Sequence, residues 1–555
     1  MLILNKIKNM RCRFRGYFGT LILLFLLSSV ACDKNFENIN QNPFDPTETS
    51  IGALFNSVLA SLQMSNEEQL YINNETLYAI TQQAALSRSS FPAFSVGTEV
   101  VWRNYYEALA HIRAIEDRII EMETTTEPEA LNNLQGMLKI ITAYKTFKMT
   151  DMFGDIPFFN AGRAYQGLEF LRPSFDAQEE IYKFLLEELN WAANNMVATG
   201  NPTTLAGVPY LSFGNFDTLF DGEVFLWLKF ANSLRLKHAL RMVEKDSEFA
   251  KPILQEIINN DLPLIQNFED VLMHPAKQAW SRTSSHFGYF NNTGPFNSGL
   301  RLGSTMWNEL ADGEGLAAII DPRAFIFFEN NNAGDWTVYP QLPDANTPES
   351  GGSPYAIIRD ANPSFKGQAN IYAPINYYLI RDEEDVPEIL MTAAEVYFCL
   401  AEVYQRGLGV LGNSSDASTA SSFYNLGIVA SISFWQSIRS NSAIWQNATQ
   451  TFADLTQGEM FALTNHQKLN ITEAVDPLQK IYSQRWVATF CQPWEAYSLL
   501  RRTGKTPNTP DEGQPFQHYR FPYPPSEGIN NAENYAEQVS KMGEDSEQVK
   551  VWWME

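Results

Sequence analysis

Residues 478–504 read LQKIYSQRWVATFCQPWEAYSLLRRTG. Apolar residues recur through this stretch at helical spacing, so it predicts a long helical segment. An interruption is expected near Pro493, because proline lacks the N–H that a helix interior uses. Arg501 and Arg502 stand near the end of that segment, where cations suit the helix dipole, or where they would pair with core acids such as Glu395. Gly504-Lys505-Thr506 imitates the tail of a phosphate-binding loop. Such a loop requires glycine where Leu499 stands and comes after a strand, so a nucleotide site is not expected.

The same periodicity continues outward. In SFDAQEEIYKFLLEELNWAANN, Asp176 is a candidate N-cap with Glu179 three residues on, and Ile181, Phe184, Leu185, Leu189 and Ala192 recur at helical spacing. GEVFLWLKFANSLRLKHALRMV places Leu226, Phe230, Leu234 and Leu240 near one face. VPEILMTAAEVYFCLAEVYQRG predicts a helix from Pro387 to Gly407. There Ala394 and Ala401 share a face and let a second helix approach closely. Further helices are expected at Ala53–Met64, Tyr71–Ser87, Thr98–Glu123 and Pro128–Thr150. From about Val271 to Asp385 the texture changes to Gly, Asn and Pro with short apolar runs such as Ala324–Phe328 and Tyr355–Ile358. That predicts long loops, small strands and little helix. The fold class is mainly α: one helical body over residues 51–555 with an irregular middle.

The front end carries a different signal. Lys6, Lys8, Arg11, Arg13 and Arg15 precede an apolar run, Leu21–Val30, too short to span a bilayer, which takes about 20 residues. Ser29-Val30-Ala31 then leads directly to Cys32, with Ser29 where most bacterial lipoboxes have Leu. Residues 1–31 are expected to be a lipoprotein signal peptide, with Met10 an alternative start. Cys32 is expected to carry lipid, and residues 32–50 to form a polar tether punctuated by Asn42-Pro43 and Asp45-Pro46. The alternative is an ordinary signal peptide with an incidental cysteine. Acidic residues outnumber basic ones 64 to 40, for a net charge of −24, so phosphate backbones are repelled and nucleic acid is a poor partner. Cys399 and Cys491 sit in helical, apolar contexts and are expected as buried free thiols rather than a disulfide scaffold.

Catalytic and metal signatures are missing. The six histidines form no short-range pair, and there is no HExxH or Cys-x-x-Cys, so no zinc cofactor is expected. Asp382-Glu383-Glu384-Asp385 offers oxygen ligands for calcium, with a solvated acidic turn as the alternative. A glycosidase needs two carboxylates at a set separation, and 64 acids nominate no pair.

Taken in order, NINQNPFDPT, TDMFGDIPFFNA, WLKFANSLRLKHALRM, MTAAEVYFCLAEVYQRG, YNLGIVASISFW, QRWVATFCQPWEAYSLLRRTG and RFPYPPSEGINNAENY resemble the SusD/RagB family of surface lipoproteins of the Bacteroidota. The resemblance implies tetratricopeptide-like helix pairs with a loop-rich part packed against them, and no catalysis. It implies capture of a nutrient, a glycan or a peptide, at the outer membrane. It also implies a SusC-like TonB-dependent barrel as partner, on which the protein sits as a hinged lid. The match thins over about Val271–Asp385, where family members hold much of their ligand surface. Sugars stack apolar ring faces on aromatic side chains, so the loop aromatics Trp280, Tyr289, Phe290, Trp307, Trp336 and Tyr339 are the candidate ligand residues. Trp336 stands out, because NNNAGDWTVYP surrounds it with polar and flexible neighbours. Aromatics there, 16 in 115 residues, are not enriched over the 13% of the whole chain, so composition does not separate glycan from peptide. A structural or assembly subunit of another outer-membrane complex is the competing reading, and a secreted enzyme a third.

Overall fold

The computed structural model describes residues 50–86, 94–123, 128–198, 204–205, 208–212, 216–267, 269–274, 300–331, 333–344, 346–348, 371–376, 379, 386–409, 414–441, 453–509 and 516–554. Residues 51–555 form one compact unit. In chain order its longer helices are α1 (Ile51–Ala60), α2 (Phe94–Met122), α3 (Pro128–Phe153), α4 (Gln178–Asn195), α5 (Val224–Met242), α6 (Ser247–Asn259) and α7 (Ser304–Leu310). They continue with α8 (Ala393–Arg406), α9 (Ala417–Asn441), α10 (Gln457–Leu463), α11 (Pro477–Ala488), α12 (Pro493–Thr503), α13 (Pro525–Asn530) and α14 (Ala532–Met542). Short strands β1 (Ala85–Leu86), β2 (Thr204–Leu205), β3 (Val208–Ser212), β4 (Val271–Met273), β5 (Leu300–Arg301) and β6 (Glu388–Met391) pair antiparallel as β1–β5, β2–β3 and β4–β6.

Residues 478–504 thus become two helices. Each begins with proline at its start, Pro477 and Pro493, where the missing N–H costs nothing. Between them Cys491 takes a left-handed φ of 68°, which turns the chain so that α12 can leave in a new direction. Gly504 closes α12 in the same left-handed region.

The helices pack as successive pairs: α1 on α2, α2 on α3, α3 on α4, α4 on α5 and α5 on α6, then α8 on α9 and α11, with α5 against α8 joining the halves. At the α8–α9 contact a Cβ on Gly427 would lie 2.7 Å from Phe398 Cε1, so glycine on α9 is what lets the axes approach. The small residue that makes room at this contact is a glycine on the partner helix.

Several expectations need correction. Asp176 does not cap α4. Its Oδ2 accepts from Phe158 N (2.8 Å) and Phe159 N (2.9 Å), and Asp155 Oδ1 takes the Gln178 N–H at the helix start instead (2.8 Å). The helix expected from Pro387 begins at Ala393. Residues 388–391 are β6, paired with β4, and Thr392 caps α8 by accepting from Glu395 N. The Tyr71–Ser87 helix is a π-helix over Gln69–Leu77, succeeded by one α turn and β1. Its wider pitch is visible where Tyr78 N–H reaches the Asn73 carbonyl five residues back. Buried Asn73 donates to buried Gln69 inside it, Nδ2 to Oε1 at 2.6 Å.

The end of the chain is bound to the last turn of α3 and to Asp155 and Gln178 beyond it. Phe521 N donates to Met152 O (2.8 Å), Arg520 Nε to Phe153 O (3.1 Å), Tyr523 OH to Asp155 O (2.6 Å) and Trp552 N to Gln178 Oε1 (2.7 Å). Trp553 Nε1 donates to Asp151 Oδ1 at 2.8 Å.

Candidate binding site

The strand pair β1–β5 forms one edge of a platform where segments from distant parts of the sequence meet. Just before β1, Gln82 holds a left-handed φ of 58°. Its Oε1 accepts from Thr305 Oγ1 (2.7 Å) and Thr509 N (2.7 Å), and its Nε2 donates to Asn508 Oδ1 (2.8 Å). A single amide thereby joins residues 82, 305 and 509. Beside it, Leu302 N bonds Ala373 O (2.9 Å) and Tyr339 N bonds Leu302 O (2.8 Å).

Three of the candidate ligand aromatics lie inside this platform. Trp307, Trp336 and Tyr339 are only 6%, 5% and 4% exposed. Trp307 stacks on Trp336 with centroids 6.0 Å apart and donates from Nε1 to Gly313 O (2.8 Å). Phe325 meets Trp336 edge-on, and Tyr339 meets Tyr372 edge-on at 4.8 Å. The polar setting of Trp336 has a local cause. Asn331 Oδ1 accepts from Ala333 N and Asp335 N, both at 2.9 Å, while Asn330 Nδ2 bonds Gly334 O. These groups close a tight turn on themselves, and the ring beyond it folds inward. The rings anchor loop roots, and as placed they offer no open face to a sugar. Trp280, Tyr289 and Phe290, the acidic run Asp382–Asp385 and Cys32 lie outside the described residues.

A cluster that the sequence showed only at Arg501, Arg502 and Glu395 sits between α3, α5, α8, α11 and α12. Lys237 Nζ meets Glu495 Oε1 (2.5 Å) and Glu395 Oε2 (3.6 Å), and Arg241 bridges Glu495 and Asp151. Arg485 pairs with Glu395 (2.8 Å), and Arg502 makes a fork to Glu402 at 2.6 Å on both oxygens. The cation expected opposite Glu395 is therefore Arg485, on α11. Arg502 takes Glu402, while Arg501 donates to the carbonyls of Asp151 and Tyr519. Burial pushes the Glu495 carboxyl up, but Lys237, Arg241 and Arg485 outweigh it and bring it down to about 2. Burial and the neighbouring cations hold His238 neutral, far below its usual range, where it stacks on Phe147 at 3.7 Å. A catalytic cluster needs an open position beside its acid or base. Here the acids and cations face one another in the interior, which suits cross-bracing of helices. Cys399 and Cys491 are free and buried, and burial pushes the Cys399 thiol up to about 11, which makes it unreactive. Among the described residues no group of His, Cys, Asp or Glu is placed to hold a metal ion, and no helix is long and apolar enough to cross a membrane.

A cleft of about 290 Å³ lies between α2, α3 and α4. Its floor is apolar and its rim charges are mutually paired: Arg113 and Arg163 with Glu116, and Lys139 with Glu188. This is a self-neutralised groove of the helix array.

The fold matches that of a chitin-binding protein (TM-score 0.67, 22% identity, 91% of this chain and 100% of that one). It also matches a SusD homologue from Parabacteroides distasonis (TM-score 0.68, 20% identity, 91% and 98%) and a SusD-like protein described as Bacteroidetes AC2a (TM-score 0.65, 19% identity, 91% and 100%). No curated protein matches the chain. Residues 43–524 match the SusD-like family model described as "Starch-binding associating with outer membrane". The helix-pair fold agrees with this match over most of the chain: the protein belongs to the SusD-like family, non-enzymatic binding proteins associated with the outer membrane and with glycans.

Proposed function

We propose that this protein is a lipid-anchored, surface-exposed receptor that captures a glycan and acts as the lid of a SusC-like TonB-dependent barrel. Family membership over residues 43–524 is the observation that carries this reading. The cationic leader, the apolar run and Cys32 supply export and attachment: residues 1–31 are removed, Cys32 is acylated, and residues 32–50 tether the body. The platform around Gln82, Thr305 and Thr509 is a rigid base, with buried Trp307, Trp336 and Tyr339 as its anchors. The segment 275–299 connects β4 to β5, the strand that belongs to that base. It carries Trp280, Tyr289 and Phe290, which we assign to ligand stacking.

Affinity purification from detergent-solubilised outer membrane should recover a SusC-like barrel as the main companion. Mass spectrometry should show an acylated Cys32 as the first residue. Retardation in gels containing starch or chitin should identify the glycan, and joint replacement of Trp280, Tyr289 and Phe290 by alanine should abolish it. Recovery of a different membrane assembly, with no glycan retardation, would assign the protein to a structural role.

A further inference from the structure

Opposite the N-terminal half of α2, the segment 157–173 and α13 enclose a basin of about 520 Å³. That volume is within the range of small-ligand sites, roughly 300–1,000 Å³. Its floor is fixed. Trp102 and Tyr106 sit one turn apart on α2 with ring centroids 5.1 Å apart, and Trp102 is held edge-on by Phe153 and Tyr523. The Tyr106 hydroxyl donates to Pro157 O (2.8 Å). The wall is held equally firmly. Gly162 has a φ of +80°, and a Cβ there would meet the backbone of Leu109 and Ala110 at 3.1 Å, so the segment lies flat against α2. Arg113 ties it down through the carbonyls of Phe158 and Ala161.

Two features give the basin a chemical character. Tyr165 is 56% exposed, yet its hydroxyl is tied to Asp117 Oδ2 at 2.6 Å, so an aromatic ring stands in solvent with part of its freedom already lost. Across from it, Glu527 is only 8% exposed and accepts from Asn531 Nδ2 at 2.7 Å, and exposed Asn530 adds a second amide at the rim. Among the described residues no lysine or arginine lines the basin, which argues against anionic ligands. An aromatic ring facing a carboxylate and amides suits a neutral molecule with one apolar ring face and a girdle of hydroxyls.

We propose that this basin is a second carbohydrate site, taking a neutral pyranose unit stacked on Tyr165 with its hydroxyls directed at Asn530 and at Glu527, whose carboxylate buried Asn531 holds in place. The proposal rests on the reading that the protein binds glycans, and places an additional contact away from the 275–299 segment. The test is calorimetric titration of the full-length lipoprotein in detergent with maltohexaose, cellohexaose and chitohexaose. Wild type should show two binding events with at least one of these sugars. Tyr165→Ala should remove or weaken one of them about tenfold, the scale of one lost stacking contact. Ala164→Arg, which fills the basin from an exposed position, should do the same, and Tyr165→Phe should retain most of the binding. The variant lacking Trp280, Tyr289 and Phe290 should keep the basin event.

Titration of Tyr165→Ala and Ala164→Arg indistinguishable from wild type overturns the basin proposal while leaving the receptor reading intact. Binding of none of the sugars by wild type overturns the proposal, and failure of glycan retardation as well would remove the reading beneath it. Loss of the barrel from the Tyr165→Ala purification, with sugar binding unchanged, also overturns the proposal and makes the basin a partner contact.

Discussion

Gly427 shows how much one missing methyl group can decide. With Phe398 Cε1 at 2.7 Å from the place a Cβ would occupy, alanine there forces α8 and α9 apart or turns the phenylalanine out of its well. Gly427→Ala should cost about 1–3 kcal/mol in denaturant unfolding. Phe398→Leu should recover part of that loss in the double variant, since the two positions share one contact. Asp270 is the opposite case, a polar group held at a cost. Burial lifts its carboxyl from 3.8 to about 6, although its Oδ1 accepts from Ala393 N at 2.8 Å. A raised carboxyl favours the fold at low pH and weighs against it as pH climbs from 3.8 through 6. Asp270→Asn keeps an acceptor for Ala393 and removes the charge. Thermal melts should show it more stable than wild type at pH 7, by about 1–3 kcal/mol, and equal to it at about pH 3.5.

Among the elements, α12 is tied to α8 by the fork between Arg502 and Glu402, with Tyr482 of α11 and Arg406 joining the same carboxylate. Glu402→Gln leaves the Arg502 guanidinium buried without its counter-charge and should cost about 3–5 kcal/mol. Arg406→Gln, at the wetter edge of the cluster, should cost far less; chemical denaturation of the two variants gives the comparison. That Arg502 could meet a core acid is legible in the sequence, but which acid each cation takes is not. Helix periodicity comes from residue spacing, so α2, α3, α4 and α5 can be placed from it to within a few residues. A pair such as Glu402 and Arg502 is separated by 100 positions and is decided by packing alone. The same distinction explains the errors. Asp176 is a sound cap by local rule, but two backbone N–H groups at Phe158 and Phe159 compete for it. Residues 388–391 continue a helical pattern until β4 offers them a strand partner. The polar context of Trp336 suggests exposure because nothing local shows that the asparagines around it are occupied with the backbone of their own turn.

For the molecule as a whole, the cross-braced interior sets its behaviour in acid. Burial lifts the Glu402 and Glu495 carboxyls, but their cations prevail and bring both from 4.5 down to about 2. A lowered carboxyl contributes its stability above the unfolded value and loses it as pH falls through the folded one. Melting temperature should therefore fall steeply between pH 4.5 and 2, and Glu402→Gln should show a shallower fall over that interval because one of the linked protons is gone. Tyr523 bonds Asp155 across 368 positions, and Trp553 bonds Asp151 across 402. Contacts of such separation form late. A chain emerging from a ribosome or a translocon cannot complete the region around Asp151 until residues 523–553 arrive, so that part of the interior closes after the sequence-adjacent helix pairs can form. For a member of an outer-membrane-associated family, that delay works as a timer: the locking of this region comes last, after the rest of the chain has been delivered.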